Sequence, residues 1–352
     1  MRFSYHNPVR IEFGVELLDW CQKIESEAIL LVTSSGFSKR GLTEKIQKIL
    51  GSKMVAVVDS ILPNPELTDL LRLKSDLGDF ASILAIGGGS VLDSAKFLSV
   101  CGDIVASNGK LEIKTTPTSS ISRPIFAFPT TAGTGSELTK WATIWDSHNM
   151  IKYSLQDENL YPHTALYDVN LTRSLSKENT ISTGLDALSH ACESLWNKNA
   201  NPISTQYAID SIKLIVRILP KLIKDLDSIT LRSDMMRASM YAALAFSNTQ
   251  TALAHAISYP LTMRFGIPHG LACSFSIPLL LDCLPSGEIR EMLNPLTKEI
   301  KGLFSTIQVS TNVRDYGIDS AMLEEIFNAL NDRAKNGVFD LEVVKQRFLH
   351  TL

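Results

Sequence analysis

At 352 residues the chain is long for one hydrophobic core, so two domains are expected. A hydrophobic fraction of 45% and a charged fraction of 20% are those of an ordinary soluble globular protein. The net charge of −3 argues against a broad phosphate-binding surface and hence against nucleic acid as a partner. No apolar run is long enough to span a bilayer, so no membrane partner is expected either. The opening residues Met1-Arg2-Phe3-Ser4-Tyr5-His6 lack the hydrophobic stretch of a signal peptide, and a cytoplasmic location is the expectation.

In chain order, residues 28–33 read as a buried strand and 38–50 as a helix. Residues 54–58 form a second predicted strand, closed by the turn Pro63-Asn64-Pro65. Residues 66–80 are again helical, and 83–86 form a third strand that runs into three glycines. Residues 124–129 read as a fourth strand, followed by shorter ones at 141–145, 152–155 and 165–169. Strands alternating with helices imply parallel βαβ units with helices on both faces. From about residue 176 the pattern is helical, at 178–197, 202–225, 229–246 and 248–265, with Pro260 expected to bend or end the last. The tail from 286 onward also reads as helices. The chain therefore divides into an α/β domain (1–175) and an all-α domain (176–352), with no internal repeat. The five cysteines (Cys21, Cys101, Cys192, Cys273, Cys283) are scattered, contain no CxxC pair and read as buried free thiols.

Ile86-Gly87-Gly88-Gly89-Ser90-Val91-Leu92-Asp93 lies where a strand hands over to a helix. Glycines let the backbone approach a pyrophosphate, and the free N–H groups of a helix start favour an anion. Ser90 and Asp93 also fit a Ser-x-x-Asp capping box, which needs no ligand but leaves the three consecutive glycines unexplained. The spacing is not GxGxxG, so this is not the standard Rossmann fingerprint. Pro129-Thr130-Thr131-Ala132-Gly133-Thr134-Gly135-Ser136-Glu137 follows the fourth strand. It reads either as a polar surface loop or as ribose and phosphate contacts at a strand's carboxyl end.

Asp186 and His190 stand four residues apart, on one face of a predicted helix. Such a pair also occurs as a capping or solvent-exposed contact. His255 sits in an apolar helix, where a lone histidine is usually a core residue, and His269 sits in the turn Ile267-Pro268-His269-Gly270. One carboxylate and three imidazoles suit Fe²⁺ or Zn²⁺, with one coordination position left open for a carbonyl or alcohol oxygen. His6, His148, His163 and His350 fall outside this pattern.

Four motifs stand in one order: GGGSxxDxAK at 87–96, PTTAGTGSE at 129–137, GLDALSHA at 184–191 and AHAISYPLTxxFGIPHG at 254–270. Over roughly residues 5–285 the chain resembles the iron-containing (group III) alcohol dehydrogenases. The resemblance implies the dehydroquinate-synthase-like fold: a dinucleotide-binding α/β domain, then an all-helical metal-binding domain, with catalysis in a cleft between them. It implies that Asp186, His190, His255 and His269 bind one divalent metal, commonly Fe²⁺ and sometimes Zn²⁺. Gly87, Gly88, Gly89 and Ser90 would hold the pyrophosphate. Asp93, Thr130, Thr131, Thr134, Thr139, Thr143 and Lys152 would line the cofactor cleft, and Asn64 would border the adenosine. A homodimer formed through the first domain is also implied.

The sequence departs from the family pattern at two places. Where many relatives end the first strand with an Asp that binds the ribose, this chain has Ser34, followed by Lys39 and Arg40. Losing that carboxylate removes repulsion against a 2′-phosphate, which favours NADP, or use of both NADP and NAD, although Lys39 and Arg40 also read as a solvated helix face. Where many relatives have a His four residues after the third ligand, this chain has Tyr259, and a phenol is a poor base near neutrality. The expected activity is hydride transfer between a nicotinamide cofactor and a small aldehyde or alcohol whose oxygen is bound to the metal. The segment from His255 to Cys273 looks closest to the phosphonoacetaldehyde reductase branch, with Arg264 and Lys152 as candidate cations for the phosphonate. The alternative is a dehydroquinate-synthase-like lyase that recycles its bound NAD.

Overall fold

The computed structural model describes residues 2–107, 110–114 and 121–351. The chain forms two compact units. One comprises Asn7–Thr131 and Ser136–Thr172; the other comprises Arg173–Leu352 together with Met1–His6 and Ala132–Gly135.

The first unit is α/β. Its strands are β1 (Arg10–Phe13), β2 (Ile29–Val32), β3 (Met54–Val58), β4 (Ser82–Gly87), β5 (Asp103–Ser107), β6 (Lys110–Lys114), β7 (Ile125–Pro129), β8 (Trp141–Asp146), β9 (Ile151–Gln156) and β10 (Thr164–Tyr167). Its helices are α1 (Leu17–Cys21), α2 (Ser35–Lys39), α3 (Leu42–Leu50), α4 (Leu67–Asp76) and α5 (Gly89–Ser99). A six-stranded, all-parallel sheet runs in the order β1-β10-β7-β4-β2-β3. Side chains alternate between its faces. Leu30, Val32, Ile83 and Ala85 therefore join one hydrophobic cluster, and Ile29, Leu31, Leu84 and Ile86 join another. Both faces are covered, as the continuous apolar runs of β2 and β4 require. β3 and β4 flank β2 on opposite sides, so the chain order reverses between β2 and β4. A second, four-stranded sheet has the order β5-β6-β9-β8.

Three strands escape the sequence reading: β1, β5 and β6. β1 and β6 alternate charged with apolar residues, and the short apolar centre of β5 is not buried, so no buried run marks them. The single helix expected over 38–50 is two, because Gly41 takes a left-handed φ of 75° between α2 and α3.

The helical unit contains α6 (Lys177–Leu195), α7 (Pro202–Leu222), α8 (Ile229–Thr249), α9 (Leu253–Phe265), α10 (His269–Ser274), α11 (Ile277–Cys283), α12 (Glu288–Thr306), α13 (Ser320–Asn328) and α14 (Leu341–Leu349). One continuous core joins Leu185, Ile212, Leu253, Ile300 and Phe348 from five of them, together with Phe275 just after α10. The expected helix over 248–265 starts later, since Gln250 has a φ of 68° and the chain turns before Leu253. Pro260 does not end α9. The helix continues through it to Gly266, whose left-handed conformation lets its N–H bond the Thr262 carbonyl. Among the described residues no helix is long and apolar enough to cross a membrane.

Candidate active site

The helix α6 carries three of the groups that matter. Ser176 caps its start by accepting from the Asn179 N–H, and Arg232 ties the same end down through Thr180 and the Leu175 carbonyl. Asp186 and His190 then face the same way, one turn apart, with 4% and 6% of their side chains exposed. Glu193, another turn on, is wholly buried. Helix α9 delivers His255 and α10 delivers His269. The approach of α10 is very close: a Cβ on Gly270 would lie 1.9 Å from the Ser182 carbonyl oxygen, so only glycine lets the two helices meet there.

The four predicted ligands converge. Asp186 Oδ1 lies 3.8 Å from His190 Nδ1, 3.4 Å from His255 Nε2 and 4.0 Å from His269 Nε2. Donors bound to one tetrahedral ion at about 2.0–2.2 Å lie about 3.3–3.6 Å apart, so these separations need little adjustment. The rings are held by packing. His190 stacks on Phe246 at 4.0 Å and on His255 at 4.4 Å, and its ring also bonds the Gly133 backbone. Gly133 can approach because its missing Cβ would sit 2.6 Å from the Thr183 carbonyl oxygen.

Two observations test whether a cation fits. His190 Nδ1 and His255 Nε2 are buried and have no hydrogen-bond partner, which is costly unless something else occupies their lone pairs. Two carboxylates, Asp186 and Glu193, are buried beside them. Burial alone would raise Asp186, yet the surrounding imidazoles His190, His269 and His255 hold it well below the usual carboxylate range. Burial lowers His190 to about 4. Burial also acts to lower His255, but Glu193 and Asp186 on either side carry it up to about 10. A divalent cation satisfies both the orphan nitrogens and the excess negative charge.

Glu193 was not anticipated from the sequence. Its Oε2 lies 2.6 Å from His255 Nδ1, while its Oε1 accepts from the N–H groups of Ala254 (2.6 Å) and His255 (3.2 Å). One side chain thus caps the start of α9, where Ala252 offers no side-chain cap, and orients the ligand that α9 carries. Cys273 is a buried free thiol, as expected, and it also lies within 4.8 Å of Asp186, His255 and His269. Its S–H faces Asp186 Oδ1 at 3.4 Å and the Gly270 carbonyl at 3.5 Å, and burial pushes the thiol well up, so it acts as a hydrogen-bond donor. His190, with its orphan nitrogen, is the better fourth ligand.

In the α/β unit, Gly87 ends β4, Gly88 caps α5 and Gly89 opens it. This turn sits beside the end of β2, at the reversal of strand order where open α/β sheets bind ligands. A Cβ on Gly87 would meet Val91 at 2.4 Å, and one on Gly88 would meet Thr131 at 3.2 Å. The Ser90–Asp93 capping box does not form, because the helix starts two residues too early for it, with Gly88 as its cap. Ser90 Oγ instead accepts from the N–H of Asn64, a residue held at a φ of 57°. The Asp93 carboxylate accepts from Ser136 Oγ (2.6 Å) and the Thr143 N–H (2.8 Å). Lys96, unremarked in the sequence, is fully buried and donates to Ser136, Thr139 and the Trp141 carbonyl. Burial lowers it to about 8 against the pull of Asp93 and Glu137. Thr139 is therefore spent on Lys96 and is 1% exposed, so it is not brought to the turn. Thr130 bonds the Gly87 carbonyl through its N–H, and Lys152 lies 5.5 Å from the Trp145 ring. Thr134 falls in the segment that packs with the helical unit. Ser34 follows β2 and precedes α2, and the Arg40 guanidinium folds over Phe37 at 4.5 Å.

Comparison with known proteins decides what this arrangement belongs to. Residues 8–169 match the family described as iron-containing alcohol dehydrogenase, and residues 180–285 match its C-terminal part. An NAD-dependent methanol dehydrogenase of Bacillus methanolicus is 33% identical, over 73% of this chain and 68% of its own. The chain belongs to the iron-containing alcohol dehydrogenase family. A sulfoacetaldehyde reductase of Bilophila wadsworthia is 30% identical, covering 79% of this chain and 74% of its own. The crystal structure of a sulfoacetaldehyde reductase from Bifidobacterium kashiwanohense, in complex with NAD⁺, superposes with a TM-score of 0.88 at 25% identity, over 100% of this chain and 99% of that one. The two-part architecture of this family member, a parallel sheet followed by helices, is the family's fold.

One expectation about this family member needs correcting. Arg264 does not stand ready for a phosphonate: its Nη1 pairs with Glu325 Oε2 at 2.8 Å, with both side chains largely exposed. A position between two ligand motifs is close to the site in sequence, but here Arg264, in the last turn of α9, turns outward to α13. Tyr259 lies one helical turn after His255, and its hydroxyl accepts from Arg333 Nη1 at 3.3 Å. Arg333 comes from the C-terminal tail, where the sequence offered no motif.

Proposed function

We propose that this family member is a metal-dependent, NAD(P)-linked alcohol dehydrogenase working as an aldehyde reductase, with Asp186, His190, His255 and His269 holding Fe²⁺ or, in its place, Zn²⁺. The observation that carries the reading is the pair of buried, orphaned imidazole nitrogens turned towards Asp186 Oδ1. When bound, the metal supplies a Lewis acid for the carbonyl oxygen and the reduced nicotinamide supplies the hydride.

The chain's own residues bind and orient. Glu193 holds the His255 proton on Nδ1, which leaves the Nε2 lone pair facing Asp186. Phe246 and His255 sandwich the His190 ring and fix its plane. Asp186, His190 and His255 are nearly closed to water, whereas the His269 side chain is 34% exposed and marks the side from which an aldehyde enters. In the α/β unit, Gly87 and Gly88 keep the strand end bare so that a pyrophosphate can approach, and Asn64, Ser90, Thr131, Thr143 and Lys152 surround that turn in our reading. NADPH is the proposed cofactor. A Cβ on Gly36 would lie 3.4 Å from Arg40 Nη1 and 3.9 Å from Ser34 Oγ, which brings a cation and a hydroxyl together where relatives carry an acid.

For substrate we propose phosphonoacetaldehyde, reduced to 2-hydroxyethylphosphonate; sulfoacetaldehyde reductases among the relatives support an aldehyde of this shape and charge. The test is oxidation of NADPH and NADH by protein reconstituted with Fe²⁺, given phosphonoacetaldehyde or propanal, beside His269→Ala. Turnover that prefers NADPH and the phosphonate, and that falls at least 100-fold in the variant, is expected. Metal-independent turnover, or none with either aldehyde, overturns the reading.

A further inference from the structure

We propose that Lys96 is a positioning residue for dinucleotide binding: its buried ammonium fastens the segment 136–141 to α5 and so braces the glycine turn that opens that helix. The inference rests on the reading of that turn as the pyrophosphate site and goes beyond it by assigning what holds the turn in place.

Only 1% of the Lys96 side chain is exposed, and taking an ammonium out of water is costly unless its donors are met. A methionine would fill similar space without that cost, so packing alone does not call for a charge here. The ammonium has three donors, and all three are used: on Ser136 Oγ at 2.9 Å, Thr139 Oγ1 at 3.0 Å and the Trp141 carbonyl at 2.7 Å. None is left for a ligand, so Lys96 acts through the groups it holds. Burial lowers it to about 8 while Asp93 and Glu137 pull the other way, which keeps it charged at neutral pH. Glu137 is itself buried and accepts from the Tyr167 hydroxyl at 3.0 Å.

These bonds join separate pieces of chain. Ser136 accepts from Lys96 and donates its own hydrogen to Asp93 Oδ1 at 2.6 Å, while Asp93 Oδ2 accepts from the Thr143 N–H at 2.8 Å. Helix α5 is therefore tied to the 3₁₀ turn Ser136–Leu138 and, at two levels, to β8 through Trp141 and Thr143. Asp93, expected from the sequence to line the cofactor cleft, has both carboxylate oxygens engaged in this brace. The residues that follow β7 meet the start of the same helix. The Thr130 N–H bonds the Gly87 carbonyl at 3.0 Å, and Thr131 lies 3.2 Å from where a Cβ on Gly88 would sit. Lys96 stands two turns after Gly89, so one short helix carries both the anion-binding turn and the residue that braces it. Backbone N–H groups held in place beforehand bind an anion without a loop having to be ordered first, and that is what the lysine contributes.

The experiment titrates NADP⁺ and NAD⁺ calorimetrically into Zn²⁺-loaded wild type, Lys96→Met and the charge-balanced double variant Lys96→Met/Asp93→Asn. Zn²⁺ affinity and melting temperature are measured alongside. The single variant leaves Asp93 buried without its cation and should melt lower; the double variant removes both charges and should recover most of that loss. Both variants should bind the two dinucleotides roughly tenfold more weakly, by the same factor for each because the pyrophosphate is common to them, with Zn²⁺ affinity unchanged. In turnover the loss should appear in KM for the nicotinamide cofactor, with kcat little altered. Binding restored to wild-type strength in the double variant would show that the lysine serves stability alone, and it overturns the inference. A loss confined to NADP⁺ also overturns it, since Lys96 would then be a contact of the 2′-phosphate. Wild type that holds Zn²⁺ but binds neither dinucleotide overturns the reading of the turn, and the inference with it.

Discussion

Glu193 concentrates the residue-scale argument, because three hydrogen bonds from α9 end on its two oxygens. In Glu193→Gln the amide oxygen can still accept from the Ala254 and His255 N–H groups, but the NH₂ then faces His255 Nδ1. That nitrogen must become an acceptor, which moves the imidazole proton to Nε2, the atom turned towards Asp186. Zn²⁺ affinity, measured by competition with a chromogenic chelator, should fall roughly 10–100-fold while the melting temperature changes little. Glu193→Ala loses the cap as well, so it should lower both. Equal metal affinity in Glu193→Gln and wild type would remove the carboxylate from the site. The ligands themselves were legible because Asp186 and His190 share a face by spacing and His255 and His269 lie in distinctive motifs. Glu193 falls seven residues after Asp186, on nearly the same face, but only the fold reveals that the first turn of α9 sits against it. Lys96 was illegible for a related reason: a lysine in a helix reads as solvated until its three acceptors close around it.

At the scale of elements, apolar runs carried most of the sheet. β2, β4 and β7 are buried and hydrophobic, and the sequence marks them plainly, whereas β1, β5 and β6 expose charged side chains and leave no such trace. Helix ends were harder, because Gly41 and Gln250 break their segments by backbone conformation rather than by composition. The contact between α6 and α10 shows what a single Cβ decides. Gly270→Ala places a methyl group on the Ser182 carbonyl, so α10 must shift and take His269 with it. Overpacking of this kind costs about 1–3 kcal/mol, and Zn²⁺ affinity should fall with stability. Gly302 in α12 is the control, since nothing lies within 4 Å of its added Cβ. Gly302→Ala should leave metal binding alone and stabilise by about 0.5–1 kcal/mol. Denaturant unfolding and chelator competition on the two variants separate a local steric effect from a general intolerance of alanine.

For the whole molecule, the decisive feature is that the two ligand classes fall in different compact units. Asp186, His190, His255 and His269 all belong to the helical unit, while the triple-glycine turn and Ser34 belong to the α/β unit. A ligand that binds only the folded state stabilises it by about 2.7 kcal/mol at 100 times its dissociation constant, and it protects first the amides of the segments it touches. Zn²⁺ should therefore slow hydrogen exchange in α6, α9 and α10, and NADP⁺ should slow it at the ends of β2 and β4 and in the first turn of α5. Peptide-resolved exchange, with each ligand added alone to chelator-stripped protein, reads the two footprints. Because the rings of His190 and His255 stack on each other, the metal footprint should arrive in α6 and α9 at the same ion concentration. A zinc footprint centred on the α/β unit would mean that the orphaned imidazoles are not the ligands. An NADP⁺ footprint that spares the β4–α5 turn would mean that the bare glycines serve packing against Val91 and Thr131 rather than a phosphate.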